Sequence, residues 1–375
     1  MKRIICSVIA LLMLLTIVPV TAFAAYGYTD ISSADQLRRI ESDLGGKYRL
    51  VKNIDLSGNW EPIGSAERPF TGVLDGNGYT ISGMSITTVG KSYVGLFANL
   101  SGSVIDLDVR GTVSGAKYVG GIAGMVSGGS ISNSSFSGTV LGDTYVGGIA
   151  GRVIGQDDKG SATISNCEVG AAAIKGTGCT TNPANGGGVG GMGGILGYGA
   201  GNISDCMSDA LIEASKDGAY GIGGIVGVKG SSQGKLRVDR CGFTGTIKAE
   251  NADSVGGILG SNQDAQPNGA VLKDVYADGT LDLGANSGDG VGGIMGSTPF
   301  NFAGGKTSSI ENAYWNGTLT NPSPSFDPIA GNTCTTVSNA YYSDADGYES
   351  GREGAKDMPD SAFVSGEIAY ELDKD

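Results

Sequence analysis

Past the first 24 residues, the chain rarely keeps apolar residues at helical intervals without a glycine interrupting them. Instead, short pieces of three to six residues alternate apolar and polar positions, separated by Gly, Asn, Asp and Ser, which are turn formers. This is the pattern of many short strands. One phrase keeps returning: Tyr93-Val-Gly-Leu-Phe-Ala, Tyr118-Val-Gly-Gly-Ile-Ala-Gly, Tyr145-Val-Gly-Gly-Ile-Ala-Gly, Met192-Gly-Gly-Ile-Leu-Gly and Ile222-Gly-Gly-Ile-Val-Gly. Further copies start at Val255 and Val291, so the intervals run 25, 27, 46, 30, 33 and 36 residues, and a degenerate copy ends Ile329-Ala330-Gly331.

Two other phrases recur in phase with the first. One is Ser130-Ile-Ser-Asn, Thr163-Ile-Ser-Asn-Cys, Asn202-Ile-Ser-Asp-Cys and Arg237-Val-Asp-Arg-Cys; the other is Ser137-Gly-Thr-Val, Thr244-Gly-Thr-Ile and Asp278-Gly-Thr-Leu. Three strand-like pieces in about 25 residues make one turn of a triangular coil. Such a unit cannot bury its inward face alone, and stacking at about 4.8 Å per coil gives it neighbours. The expected fold is therefore all-β: a right-handed parallel β-helix, a three-sided solenoid of roughly nine or ten coils. A β-propeller would need longer repeats with four strands per blade, and a sandwich would not repeat one phrase seven times. Wider intervals are expected to loop out of the turns without breaking register.

Short capping helices are expected at both ends. Ser33-Ala-Asp-Gln36 has capping-box spacing and precedes Leu37, Ile40 and Leu44, while Ala362, Phe363, Ile368, Ala369 and Leu372 can form an amphipathic turn over the last coil. The expected divisions are a signal peptide at 1–24, an N-terminal cap and opening coils at 25–91, the repeat region at 92–342, and a C-terminal cap or linker at 343–375.

Composition adds a compartment. Lys2 and Arg3 precede an apolar run from Ile4 to Val20 and then Ala22-Phe23-Ala24, the layout of a secretory signal peptide cut near Ala24. The expected location is secreted or cell-surface, with no membrane insertion after cleavage. The formal charge is −13, more negative by two once Lys2 and Arg3 are gone, which argues against nucleic acid as a partner. Glycine is 67 of 375 residues, yet 40% of the chain is apolar, which argues against disorder. Glycine of this kind is expected to supply positive φ in tight turns. Between Val119 and Ile122, one of Gly120 and Gly121 must make a bend or bulge if both apolar residues face inward.

Candidate chemistry is thin. The chain has no histidine, which removes Ser-His-Asp triads, Cys-His pairs and His-ligated zinc. No cofactor and no metal site are expected; Asp344-Ala-Asp-Gly347 has only part of a calcium loop. Cys167, Cys206 and Cys241 share one repeat position and read as an inward ladder of small side chains, with a disulfide between neighbouring coils as the alternative. No catalytic residue is assigned. Asp106 and Asp108 share a strand face, with Asp205 and Asp209 in a later coil, without concentrating above the turn aspartates. Tyr93, Tyr118 and Tyr145 recur in register, as does the pair Tyr314 and Trp315; stacked aromatics on an exposed face are the candidate binding residues, for glycan or an extracellular protein. A monomer is expected.

The phrase Val-Gly-Gly-Ile-Ala-Gly, with its first copy Val94-Gly-Leu-Phe-Ala, resembles the GLUG repeat, over roughly Ser92 to Ala340. That family's repeats occur in exported bacterial proteins, including adhesin-like surface proteins and regions upstream of IgA-cleaving metallopeptidases. The resemblance implies a location and an architecture and no catalytic residue. The function expected is a non-catalytic surface or secreted module, adhesin-like or scaffold. The alternatives are a carbohydrate-active β-helix enzyme (a polysaccharide lyase or glycoside hydrolase) and the N-terminal region of a surface peptidase.

Overall fold

The computed structural model describes residues 27–155, 162–177, 190–215, 219–230, 234–263, 269–284, 290–297, 308–321, 325–331, 335–343, 347–365 and 368. The leader and its cleavage point near Ala24 lie outside the described residues, as do Cys179, Cys334 and the start of the Asp344 tetrapeptide.

The chain is a parallel β-helix. Two seven-stranded parallel sheets stack the halves of the glycine block. One runs from Ser92–Val94 through Lys117–Gly120 to Val291–Gly292, and the other from Phe97–Leu100 through Ala123–Ser127 to Met295–Ser297. The remaining strands form a larger sheet built from the Ile-Ser-Asn and Gly-Thr-Val phrases. One inward column counts the coils: Tyr48, Leu74, Val104, Ile131, Ile164, Ile203, Val238, Leu272, Ile310 and Val337 are opposite one another in turn, ten positions in register. The longest interval does not disturb it, since Val146 is opposite Met192 and Ile164 is opposite Ile203.

A single apolar cluster runs through the interior from Ile31 to Tyr342. It is filled by size alternation along the axis. Phe136, Val169, Ser208, Phe243, Ala277 and Trp315 follow one another in register, large residues spaced by small ones. A solenoid whose coils are about 4.8 Å apart cannot seat a large ring in every coil, and alternation lets each ring spread over its small neighbours.

The glycine block turns the corner between two sheets. Gly120 ends its strand, Gly121 and Ile122 make the bend, and Ala123 opens the next strand, so Val119 and Ile122 both face inward, fully buried. The expected bend is there, but the reason for glycine differs. Neither Gly120 nor Gly121 has positive φ. Glycine is required because neighbouring coils touch: a Cβ on Gly121 would overlap the Phe136 ring and the carbonyl oxygen of Gly148, and one on Gly148 would overlap the carbonyl oxygen of Gly194. The same amides hydrogen-bond through the corner, Gly121 N–H to Gly148 O at 3.0 Å, Gly148 to Gly194 at 3.0 Å and Gly194 to Gly224 at 3.1 Å. Backbone pairing therefore continues around the bend, and a side chain there would part the coils.

Helix α1 (Ala34–Arg38) and the 3₁₀ turn after it bury Leu37 and Ile40 in the main core and close its first end. Gln36 N–H donates to Ser33 Oγ at 3.3 Å, while the Gln36 side-chain Oε1 accepts from the Ser32 amide at 2.7 Å, one residue earlier than a standard box. Helix α2 (Asp360–Ser365) lies on the flank of the final coils. Ala362 and Ile368 cover Tyr341, and Phe363 meets Tyr314, in a cluster separate from the main core.

Gly148→Ala should cost about 3 kcal/mol, the upper range for overpacking. Gly128→Ala, at φ +88° in open space, should cost only about 1 kcal/mol. Urea unfolding of both variants checks this; equal losses would mean that conformational freedom, rather than contact between coils, selects the block's glycines.

Candidate ligand face on the tyrosine corner

The residue just before six of the seven glycine blocks lies in the left-handed region, Gly191 being the exception. Tyr93, Tyr118 and Tyr145 have φ of 63°, 58° and 59°, and Gly221, Ser254 and Gly290 take the same place with φ of 69°, 60° and 81°. A bulky residue there is an outlier that its surroundings must enforce, at a cost of order 1 kcal/mol or more. The flanking register enforces it: Lys117 is opposite Ser92 and Thr144, and Val119 is opposite Val94 and Val146, so each tyrosine bows out of an otherwise continuous ladder.

The bowed residues stack. Ring centroids of Tyr93 and Tyr118 are 5.0 Å apart, those of Tyr118 and Tyr145 are 5.2 Å apart with planes at 7°, and Tyr198 continues the row at 4.4 Å. Two cations line it. Lys117 Nζ lies 4.9 Å from the Tyr118 ring and 5.4 Å from Tyr145, and the Arg152 guanidinium lies 5.1 Å from Tyr118 and 6.0 Å from Tyr198. Arg152 also donates to the Tyr118 hydroxyl at 3.3 Å. Stacking uses up the faces of the inner rungs. Tyr93 is different, because its strand is the edge of its sheet and it has a ring neighbour on one side only among the described residues.

On that open side is a cleft of about 460 Å³. It is lined by Glu61, Pro62, Ser65, Glu67, Lys91, Ser92 and Tyr93, among others. The segment 61–67 joins the structure there through a bridge between Ile63 and Phe97 and brings no aromatic rung of its own.

Tyr314 and Trp315 lie elsewhere and part company. Tyr314 faces outward, stacked on Tyr276 at 5.2 Å and 13°, with Phe363 beyond it; burial pushes its hydroxyl up to about 12. Trp315 points into the core, 3% exposed, where it packs against the glycine corner at Gly293 and the Phe326 ring. It cannot offer a face to a ligand. The parity was readable: Trp315 falls at the repeat position of Phe136 and Phe243, whereas Tyr314 falls at that of Ser135. The participation of Tyr198, Lys117 and Arg152 had no such signal, although Arg152 and Tyr198 share one position after the block.

Cys167, Cys206 and Cys241 form the inward ladder expected of them, all three buried as free thiols. Each donates to the carbonyl two residues back, Cys206 to Ser204 O at 3.1 Å, as Ser134 Oγ does to Ser132 O at 2.8 Å. Hydrogen bonding to the neighbouring thiol, with burial, holds Cys206 and Cys241 well above the usual thiol range.

A second groove, about 470 Å³, follows the left-handed Asn/Asp corner and is lined by Asp106, Asp108, Asn133, Asn166, Glu168, Asp205 and Met207 among others. Its carboxylates are largely committed. Asp108 accepts from Thr80, Ser135 and Arg110, and Asp205 is clamped by both Nε and Nη2 of Arg240, whose hydrogen bond holds its carboxyl below the usual range. Asp209 accepts from the Ala171 amide. Among the described residues, no group of three acidic or cysteine side chains is placed to hold a metal ion.

These features define a class: a glycine-cornered parallel β-helix with a laddered aromatic edge. Residues 115–141 match the family model of the GLUG motif, and the chain carries that motif within its repeat. The chain is similar to Halomucin of Haloquadratum walsbyi, 32% identical over 127 residues, which are 30% of this chain and 1% of Halomucin. It is also similar to a Gly-rich membrane protein of Evansella cellulosilytica, 37% identical over 109 residues, 25% of this chain and 13% of that one. Only a small part of either relative is therefore spanned. A solved structure described as an immunoglobulin A1 protease-type protein of Bacteroides ovatus superposes with a TM-score of 0.56 at 20% identity, covering 90% of this chain and 86% of that one. That likeness is one of fold.

Trp315→Ala should cost about 3–5 kcal/mol, as for a buried ring, and Tyr314→Ala about 1 kcal/mol, by chemical denaturation. A Trp315 variant of wild-type stability would contradict the inward placement. In native protein, Cys167, Cys206 and Cys241 should resist an aqueous thiol reagent for as long as the fold persists and react at once in guanidinium, by peptide mapping.

Proposed function

We propose that this chain is a non-catalytic, surface-displayed or secreted β-helix module that binds a glycan or an extracellular protein along its tyrosine corner. The carrying observation is the ladder of Tyr93, Tyr118, Tyr145 and Tyr198 with Lys117 and Arg152, an edge of hydroxyls and cations held on rigid coils. Bulky tyrosines held in left-handed backbone along one corner, with Tyr93 and Tyr118 half-buried and Tyr145 buried, are costly for a purely structural role. Export is supported by the basic and apolar leader with its Ala22-Phe23-Ala24 ending. A relative described as a membrane protein and the GLUG motif agree with it. No helix among the described residues is long and apolar enough to cross a membrane. The module works as a monomer, with 1–24 removed, 25–91 and 343–375 as its ends, and 92–342 as the repeat region.

The acidic groove supports a second reading, a carbohydrate-active enzyme, because carboxylates in a groove are what glycoside cleavage uses. Against it stands the commitment of Asp108 and Asp205 to neighbouring side chains. Incubation with a panel of acidic polysaccharides, with and without calcium, should release neither reducing ends nor unsaturated uronates. Cleavage that disappears in Glu168→Gln would replace the module reading with the enzymatic one.

A further inference from the structure

The tyrosine ladder lacks a rung. It is built by one residue per coil, each ring resting on the next at 4.4 to 5.2 Å, and it stops at Tyr93 because the segment 61–67 contributes no ring to that corner. The cleft of about 460 Å³ lies where the next rung would stand, within the volume range of ligand sites. Tyr93, the last ring of the ladder, is among its lining residues.

We propose that this cleft is a glycan-binding subsite in which a neutral pyranose ring takes the place of the missing rung, stacked on Tyr93. The proposal rests on the reading of the chain as a binding module and names its site and ligand class. A ring with an apolar face and a hydroxylated rim fits the lining better than a phenyl ring does. Glu61, Ser65, Glu67, Thr88, Lys91 and Ser92 surround the position, and an aromatic side chain from a partner would desolvate them without replacing their hydrogen bonds. Carboxylates can each accept from two adjacent sugar hydroxyls, as they do from paired donors elsewhere.

The charge balance selects against anionic sugars. Lys91 Nζ lies 3.6 Å from Glu61, so these two offset each other, and Glu67, hydrogen-bonded to Ser65 Oγ at 3.2 Å, leaves the cleft with excess negative charge. Lys117 and Arg152, which would suit a uronate, sit along the inner rungs instead. A second observation points the same way. A smaller recess of about 160 Å³ shares Glu61, Pro62 and Gly64 with the cleft and is bounded by Trp60, whose buried indole N–H has no acceptor among the described residues. A donor left unpaired beside a polar cleft suits a ligand that brings oxygen atoms.

The test is calorimetric titration of the mature chain with neutral manno-, gluco-, galacto- and xylo-oligosaccharides, and with oligogalacturonate as the anionic comparison. At least one neutral series should bind, and oligogalacturonate should bind at least about tenfold more weakly. Tyr93→Asn keeps a residue that tolerates left-handed backbone and removes the ring; it should weaken binding by about tenfold or more. Tyr276→Ala, made at the stacked pair with Tyr314 away from the cleft, should change affinity by less than about threefold, and circular dichroism and thermal melting establish that both variants fold. Glycan binding that survives Tyr93→Asn overturns the missing-rung site while leaving the module reading intact. Tighter binding of oligogalacturonate than of any neutral series also overturns it, and moves the ligand to Lys117 and Arg152. If no glycan binds but an aromatic-bearing extracellular protein does, and Tyr93→Asn abolishes that binding, the cleft takes a protein and the glycan assignment is wrong.

Discussion

Everything in this molecule depends on coils staying in backbone contact where the chain turns. In the corner between the two smaller sheets, amide hydrogen bonds pass from Gly121 to Gly148, Gly194 and Gly224 at 3.0 to 3.1 Å, as regular as bonds within a strand. That continuity leaves no room for a Cβ on one side, where the next coil's carbonyl lies, or on the other, where Phe136, Phe243 and Trp315 rest. The glycine block is thus the imprint of close packing around a bend. It also frees the interior: with the corner stripped of side chains, three large rings fit across the core, separated by Val169, Ser208 and Ala277.

The other corners use left-handed backbone, and they use it in two ways. Along the Ile-Ser-Asn phrase, Asp106, Asn133, Asn166, Asp205, Asp274, Asn312 and Asn339 all have φ near 50°. These are the side chains that tolerate this region, and they bond from coil to coil, as in Asn166 to Asn133 at 2.9 Å and Asn339 to Asn312 at 2.8 Å. Arg240 breaks the pattern and instead grips Asp205. On the glycine-block side the same conformation is imposed on tyrosines, which have no local preference for it. One ladder is what turn chemistry alone produces; the other needs a further reason, and its position on the surface is consistent with recognition.

Much of this was legible from spacing. Repeated phrases in phase announce coils, and the register survives an interval of 46 residues because an insertion in a turn does not alter which strands stack. The cysteine ladder followed from one shared repeat position and the small residues that substitute there. What spacing could not supply was contact across the coil. The glycines look like turn residues in one dimension, and their role as contact points between neighbouring coils appears only when the coils are stacked. Trp315 beside Tyr314 looks like a double aromatic face, yet adjacent residues on a strand point to opposite sides, and alignment with Phe136 puts the indole inside. Tyr198, Lys117 and Arg152 reach the ladder from other positions of the repeat, and the empty place beside Tyr93 is defined by a segment outside the repeat.

Hydrogen exchange at the corner amides tests the central constraint most directly. If backbone pairing continues around the bend, the N–H groups of Gly121, Gly148, Gly194 and Gly224 should exchange as slowly as strand amides such as those of Ile131 and Ile203, requiring opening of the solenoid itself. Exchange of these glycine amides at the rate of free turns, with the flanking strands still protected, would show that the corners are not joined from coil to coil.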